Sequence, residues 1–172
     1  MARGSTSALS GEPSVRFAKP EDIPRLVGFI REFAAYEGLE EQLAVSEERL
    51  ARYLFEEPKG EALIVEYAGE EAGFALFFET FSTFLGKPSI YVEDIFIRPV
   101  LRGRGLGKAL FSVLARLAVE RNCGRMEWAC LNWNEPAIRF YLKHGAQPLR
   151  EWTTYRLTGA DLTALAGGSG SE

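Results

Sequence analysis

At 172 residues, with 47% hydrophobic and 26% charged content, the chain is long enough to bury a core and has the balance of an ordinary soluble domain. A net charge of −4 argues against a nucleic-acid partner, which calls for a basic face, and is compatible with a cationic substrate. No apolar run approaches the roughly 20 residues of a membrane span, so no membrane partner is expected.

The first dozen residues, MARGSTSALSGE, lack the apolar segment of a signal peptide. Residues 1–12 and 167–172 are expected to be flexible tails around a single domain, 13–166. Val15 to Ala18 reads as a short strand. Ile23, Leu26, Val27, Ile30, Phe33 and Ala34 then recur at the spacing of one helix face, ending near Gly38. Ser46 is a natural N-cap for a second, shorter helix. Ala62–Tyr67 and Ala72–Phe78 read as strands joined by a hairpin, and Ser89–Ile97 as a third strand stopped by Pro99. Between them Glu79 to Pro88 reads as an aromatic-rich loop fit for one wall of a pocket. Leu106, Leu110, Val113, Leu114 and Leu117 form the stripe of the strongest helix. Arg125–Leu131 reads as a strand, Glu135–His144 as a helix and Trp152–Leu157 as a last strand. The order gives a mixed α/β domain whose longest helix follows a central strand. Cys123, ending a helix, and Cys130, in a strand, make neither a disulfide framework nor a metal motif, so reduced thiols and a cytoplasmic location are expected.

RGRGLGKAL, Arg102 to Leu110, joins the third strand to the long helix. A helix start leaves backbone N–H groups unpaired and carries partial positive charge. Gly103, Gly105 and Gly107 let an anion approach, and Arg102, Arg104 and Lys108 add charge. No Ser, Asp or Glu lies between Arg102 and Ala109 to cap those amides, which points to an external phosphate. The spacing excludes a P-loop, because Ala109 stands where Ser or Thr is required. It also excludes a dinucleotide fingerprint, whose third glycine would come one residue later. A solvated surface turn is the alternative that the turn alone leaves open.

Arg102-x-x-Gly105-x-Gly107, after the strand Tyr91-Val92-Glu93-Asp94-Ile95-Phe96-Ile97, resembles the acetyl-CoA signature of the GNAT N-acetyltransferase superfamily. Trp133-Asn134-Glu135-Pro136-Ala137-Ile138-Arg139-Phe140-Tyr141, followed by Gly145-Ala146, resembles the second half of that site. Tyr36-Glu37 and Glu40-Glu41-Gln42 resemble the diamine branch, the spermidine/spermine and thialysine acetyltransferases. The likeness runs from about Val15 to Leu157. It implies a mostly antiparallel sheet with splayed central parallel strands, flanked by helices. It further implies acetyl-CoA held by the backbone at Ile95, Phe96 and Ile97, by Arg102, Gly103, Arg104, Gly105, Leu106, Gly107 and Lys108, and by Asn134, Glu135, Pro136 and Ala137. The resembled branch forms homodimers, and a homodimer is expected on that ground.

Amine attack on a thioester needs the free base, and an alkylammonium loses its proton only near pH 10. Glu93 is the candidate proton acceptor, with a purely positioning carboxylate as the alternative. Strand alternation puts Glu93 and Asp94 on opposite faces unless a bulge intervenes. Tyr141 matches the family's general acid for the departing thiolate. Tyr36, Glu37, Glu93 and Asp94 are the expected amine-binding residues, where carboxylates and an aromatic face suit a cation. Phe81-Ser82-Thr83-Phe84 and Trp152-Thr153-Thr154-Tyr155 stand where the polyamine enzymes carry further acids, which leaves room for a smaller or more apolar amine. The lone His144 builds no multi-histidine metal site, and no metal is expected. The alternatives are an acetyltransferase acting on an amino acid or amine antibiotic, and a non-catalytic acyl-CoA sensor.

Overall fold

The structure, a computed structural model, describes residues 11–167. The expected tails therefore lie almost wholly outside the described residues. The chain divides after Ala129 into two compact units.

In the first unit, β1 (Ser14–Phe17), β2 (Glu61–Tyr67), β3 (Glu70–Ser82), β4 (Lys87–Ile97) and β5 (Met126–Trp128) form one sheet in sequence order. The first three joins are antiparallel and β4 pairs β5 in parallel. The two-residue period of β2 and β4 feeds two cores. On one face, α1 (Ile23–Glu37) and α2 (Glu47–Ala51) bring Leu26, Phe29 and Leu50 against Ile64, Phe74 and Phe96. On the other, α3 (Leu106–Glu120) lays Leu106, Leu110 and Leu114 on Val65, Phe77 and Val92. Each such fully buried side chain contributes about 1.5–3 kcal/mol of transfer free energy.

The helix starts follow their sequence signals. Ser46 Oγ accepts from Arg49 N at 3.2 Å, capping α2 as expected. Arg98 then clamps α1 to the end of β4: its guanidinium donates to both Glu32 carboxylate oxygens, at 2.8 and 2.6 Å, and lies 4.9 Å from the Phe29 ring centre. That clamp sets where the C-terminal end of α1 meets the sheet.

The stretch expected as an aromatic loop, Glu79 to Pro88, is mostly strand. Thr80, Phe81 and Ser82 pair with Ser89, Pro88 and Lys87, so β3 and β4 run almost to the tip of a hairpin. Phe81 and Phe84 project from that tip into solvent. The fourth expected strand shortens to Met126–Trp128, leaving Cys130 beyond it.

In the second unit, α4 (Glu135–Lys143) forms where expected, and a short α5 (Gly159–Leu165) was not anticipated. Trp152–Leu157 is not a strand: it makes no ladder among the described residues, and Trp152 and Tyr155 are 71% and 91% exposed. Alternation of apolar and polar residues marks a segment able to pair, but only a neighbouring edge with free backbone groups makes it a strand. Among the described residues no helix is long and apolar enough to cross a membrane.

Candidate functional site

The site begins with a defect in β4. Leu76 of β3 pairs with Asp94 and Phe77 with Val92, so Glu93 is an extra residue opposite no partner. This bulge resets the alternation. Ile90 and Val92 before it, and Ile95 and Ile97 after it, all pack toward α3, whereas Phe96 packs toward α1. Asp94 therefore shares the α1 face with Phe96, and Glu93 shares it with Tyr91. An unbroken strand would have sent the two carboxylates to opposite faces.

Glu37, the last residue of α1, joins them. Burial, then the charges of Glu93 and Glu37, push the Asp94 carboxyl up to about 6. Burial also raises Glu37. Asp94 and Glu37 are half-buried, while Glu93 is exposed. Among the described residues no ion pair neutralises any of the three. Tyr91 is a member that the sequence reading missed. Its hydroxyl pKa is raised by burial and by Glu93 and Glu127, and its ring packs 5.3 Å from Phe78. The signal was its place two residues before Glu93 on the same strand. Glu40 and Glu41 are exposed on a short 3-10 turn.

Tyr36 links this face to the glycine-rich turn. Its ring lies 6.4 Å from Phe96, and the Arg102 guanidinium sits 4.3 Å above it. Arg102 Nε also donates to Ile97 O at 3.0 Å. Arg104 stacks on Tyr67 at 5.4 Å. The two arginines are thus drawn back onto aromatic faces, and Lys108 is exposed.

The start of α3 has no side-chain cap and no acidic residue in its first turn. Its N-cap, Gly105, has φ +83°, a left-handed conformation that a side chain would strain, and a Cβ built there meets nothing within 4 Å. The helix therefore presents its first amides to an open space. Leu106 is buried in the core, so it offers that space backbone alone, as does Phe96. The β4–β5 ladder covers only Ile90–Val92, and it ends just before Glu93. The backbone of Asp94 to Ile97 is paired with β3 but has no strand on its other side among the described residues. An uncapped helix start and a free strand edge fit a ligand that carries both a phosphate and an extended amide chain.

Residues of the second unit form their own group. Asn134 Oδ1 accepts from Ala137 N at 3.4 Å and caps α4, with Pro136 in the first turn. Glu135 pairs with Arg139 at 2.9 Å on the exposed side. Tyr141 is half-buried with the Phe140 ring edge-on at 5.6 Å. His144 Nδ1 lies 2.7 Å from Phe140 O, a local helix-end contact. Where α4 supplies its own cap, α3 does not.

Residues 29–146 match the model of the family described as Acetyltransferase (GNAT) family. Thialysine N-epsilon-acetyltransferase of Bos taurus is 35% identical over 165 residues, covering 89% of this chain and 96% of that protein. L-Ornithine N5-acetyltransferase of Arabidopsis thaliana is 47% identical over 94 residues, 55% of this chain, and the match spans only 41% of that relative's length. Among solved structures, an integron cassette protein from the mobile metagenome of V. cholerae superposes with a TM-score of 0.74 at 29% identity, covering 90% of this chain and 97% of that one.

Proposed function

The chain belongs to the GNAT acetyltransferase family, and from that premise we propose that it moves the acetyl group of acetyl-CoA to a primary amine of a small cationic substrate, a diamine or a thialysine-like amino acid. The observation that carries the substrate class is the trio Glu37, Glu93 and Asp94, converging on one face with no ion pair to any of them among the described residues. Carboxylates left without an ion pair among the described residues attract an ammonium group, and binding it relieves their mutual repulsion.

Bound acetyl-CoA supplies the thioester carbonyl and a thiolate leaving group. The backbone of Ile95 to Ile97, on the open edge of β4, would hold its amide arm, and the amides from Gly103 to Lys108 would hold its pyrophosphate. Asn134 to Ala137 are proposed as further cofactor contacts, as the family motif implies. The carboxylate pair at Glu93 and Asp94 receives the first proton the ammonium sheds, freeing the lone pair that forms the new C–N bond. Tyr141 would supply its hydroxyl proton to the leaving sulfur and regain the second proton that the nitrogen sheds. The first proton leaves the carboxylate for water, so the direct transfer releases one proton overall. In this reading the enzyme works in the cytoplasm as a homodimer, for which the exposed Trp152 and Tyr155 offer apolar surface. Sedimentation at the monomer mass would remove the dimer.

Thiol release from acetyl-CoA, followed across spermidine, putrescine, thialysine, lysine, ornithine and an aminoglycoside, tests the proposal. Fastest release is expected with the diamines or thialysine. Cofactor binding without release for any amine would instead mark a sensor, and preference for the aminoglycoside would overturn the substrate class.

A further inference from the structure

Arg98 and Arg102 stand four residues apart on the segment that leads from β4 into the glycine-rich turn, and Glu32 and Tyr36 stand four residues apart on one side of α1. The two pairs meet rung for rung. Arg98 binds both Glu32 carboxylate oxygens, at 2.8 and 2.6 Å, and the Arg102 guanidinium lies 4.3 Å from the Tyr36 ring centre. The 3-10 turn Pro99–Leu101 between the arginines, closed by Arg102 N donating to Pro99 O at 3.2 Å, sets their spacing. The first rung is half-buried and rests on Phe29, whereas Arg102 is exposed at the start of the glycine-rich turn. We propose that Arg102 is a positioning residue that couples the two halves of the site: through Tyr36 it holds the end of α1, so that filling the glycine-rich turn with the cofactor tightens amine binding. This rests on the amine-acetylation reading above and adds to it the residue through which one substrate senses the other.

Two anchors of Arg102 lie on the cofactor side. Its backbone immediately precedes Gly103, where the glycine-rich turn begins. Its Nε donates to Ile97 O at 3.0 Å. The other polar group of that peptide, Arg98 N–H, donates to Ala72 O on β3 at 3.0 Å, so Ile97 O points the opposite way, to the open edge of β4. The guanidinium plane reaches the amine side instead. There Tyr36 also touches Phe96, with ring centres 6.4 Å apart, and is followed directly by Glu37. A phosphate held at the turn and an amide chain laid along β4 would fix both anchors. An arginine fixed at two points holds the Tyr36 ring with little further loss of side-chain freedom, so ordering Tyr36 and Glu37 costs the incoming amine less. Linkage makes the effect mutual, and a bound amine tightens the cofactor by the same factor.

The test is calorimetric binding on the full chain, with CoA, which carries no acetyl group to transfer, and the amine of the panel above that the wild-type enzyme acetylates fastest. Amine affinity is measured alone and at saturating CoA, so a change in CoA affinity does not enter the ratio. The wild-type enzyme is expected to bind the amine about tenfold more tightly with CoA present. Arg102→Met and Tyr36→Leu should each reduce that ratio to below about threefold, because each removes one partner of the stack. The double variant should lose no more of the ratio than either single one, as expected of residues that act through each other. Tyr36→Phe keeps the ring and should keep the full ratio. A cooperative thermal transition in each variant would show that the fold survives. A wild-type ratio near one, or a ratio that Arg102→Met leaves unchanged, overturns the proposal. So does an additive loss in the double variant, which would make the two residues independent. A wild-type enzyme that acetylates no amine would sink the functional reading itself, a result distinct from these.

Discussion

Replacing Tyr141 by phenylalanine is expected to lower kcat by about 10²–10³-fold while acetyl-CoA affinity changes by less than about threefold. The substitution removes one oxygen and keeps the ring. Tyr141 is half-buried on α4 with the Phe140 ring edge-on at 5.6 Å, a contact that a phenyl group preserves. The helix itself is held by the Asn134 cap and the Glu135–Arg139 pair, neither of which involves the hydroxyl. In the proposed mechanism that oxygen protonates the sulfur, and without it the sulfur would leave as an unprotonated thiolate. Steady-state kinetics beside a direct binding measurement with acetyl-CoA separate the effects. Unchanged turnover would remove Tyr141 from proton transfer, and a parallel loss of cofactor affinity would make its role structural.

Gly73→Ala is expected to destabilise the fold by about 3 kcal/mol, near the upper end for overpacking. Gly73 lies on β3 directly opposite Ile97, and a Cβ there would stand 2.1 Å from Phe96 O and 3.0 Å from Ile97 Cα. Backbone atoms cannot rotate aside as a side chain can, so the two strands must part locally. Those strands carry the edge on which the amide arm of the cofactor would lie. A lower denaturant midpoint should therefore come with weaker acetyl-CoA binding. A variant of wild-type stability would mean that the close approach is relieved at no cost.

The sequence made the site legible wherever its signal is local. Ser46 caps α2 because a hydroxyl within reach of its own helix amides needs nothing from the rest of the chain. The uncapped glycine turn before α3 was equally plain, since the lack of a capping side chain from Arg102 to Ala109 can be read directly. Asn134 is a middle case. The cofactor motif pointed to it, and the structure uses its side chain as the cap of α4.

Signals that depend on a distant partner did not carry. Glu79 to Pro88 read as a loop because its aromatics are interrupted by Gly86 and Pro88, yet β3 and β4 pair through it. Trp152–Leu157 has a strand's composition, but no described strand edge pairs with it. Nothing local distinguishes Gly73 from a glycine in an ordinary strand, because the atom it must avoid lies on β4.

By itself, then, the sequence determined the family, the order of helices and strands as far as α4, and an uncapped glycine-rich turn at the start of α3, all properties of residues close in the chain. The tertiary structure decided the geometry of the carboxylates. Whether Glu93 and Asp94 face one side or two depends on how β4 registers against Leu76 and Phe77, which are distant in sequence. That one-residue slip turns Asp94 toward the end of α1, where Glu37 reaches it, and turns two adjacent acids into one site.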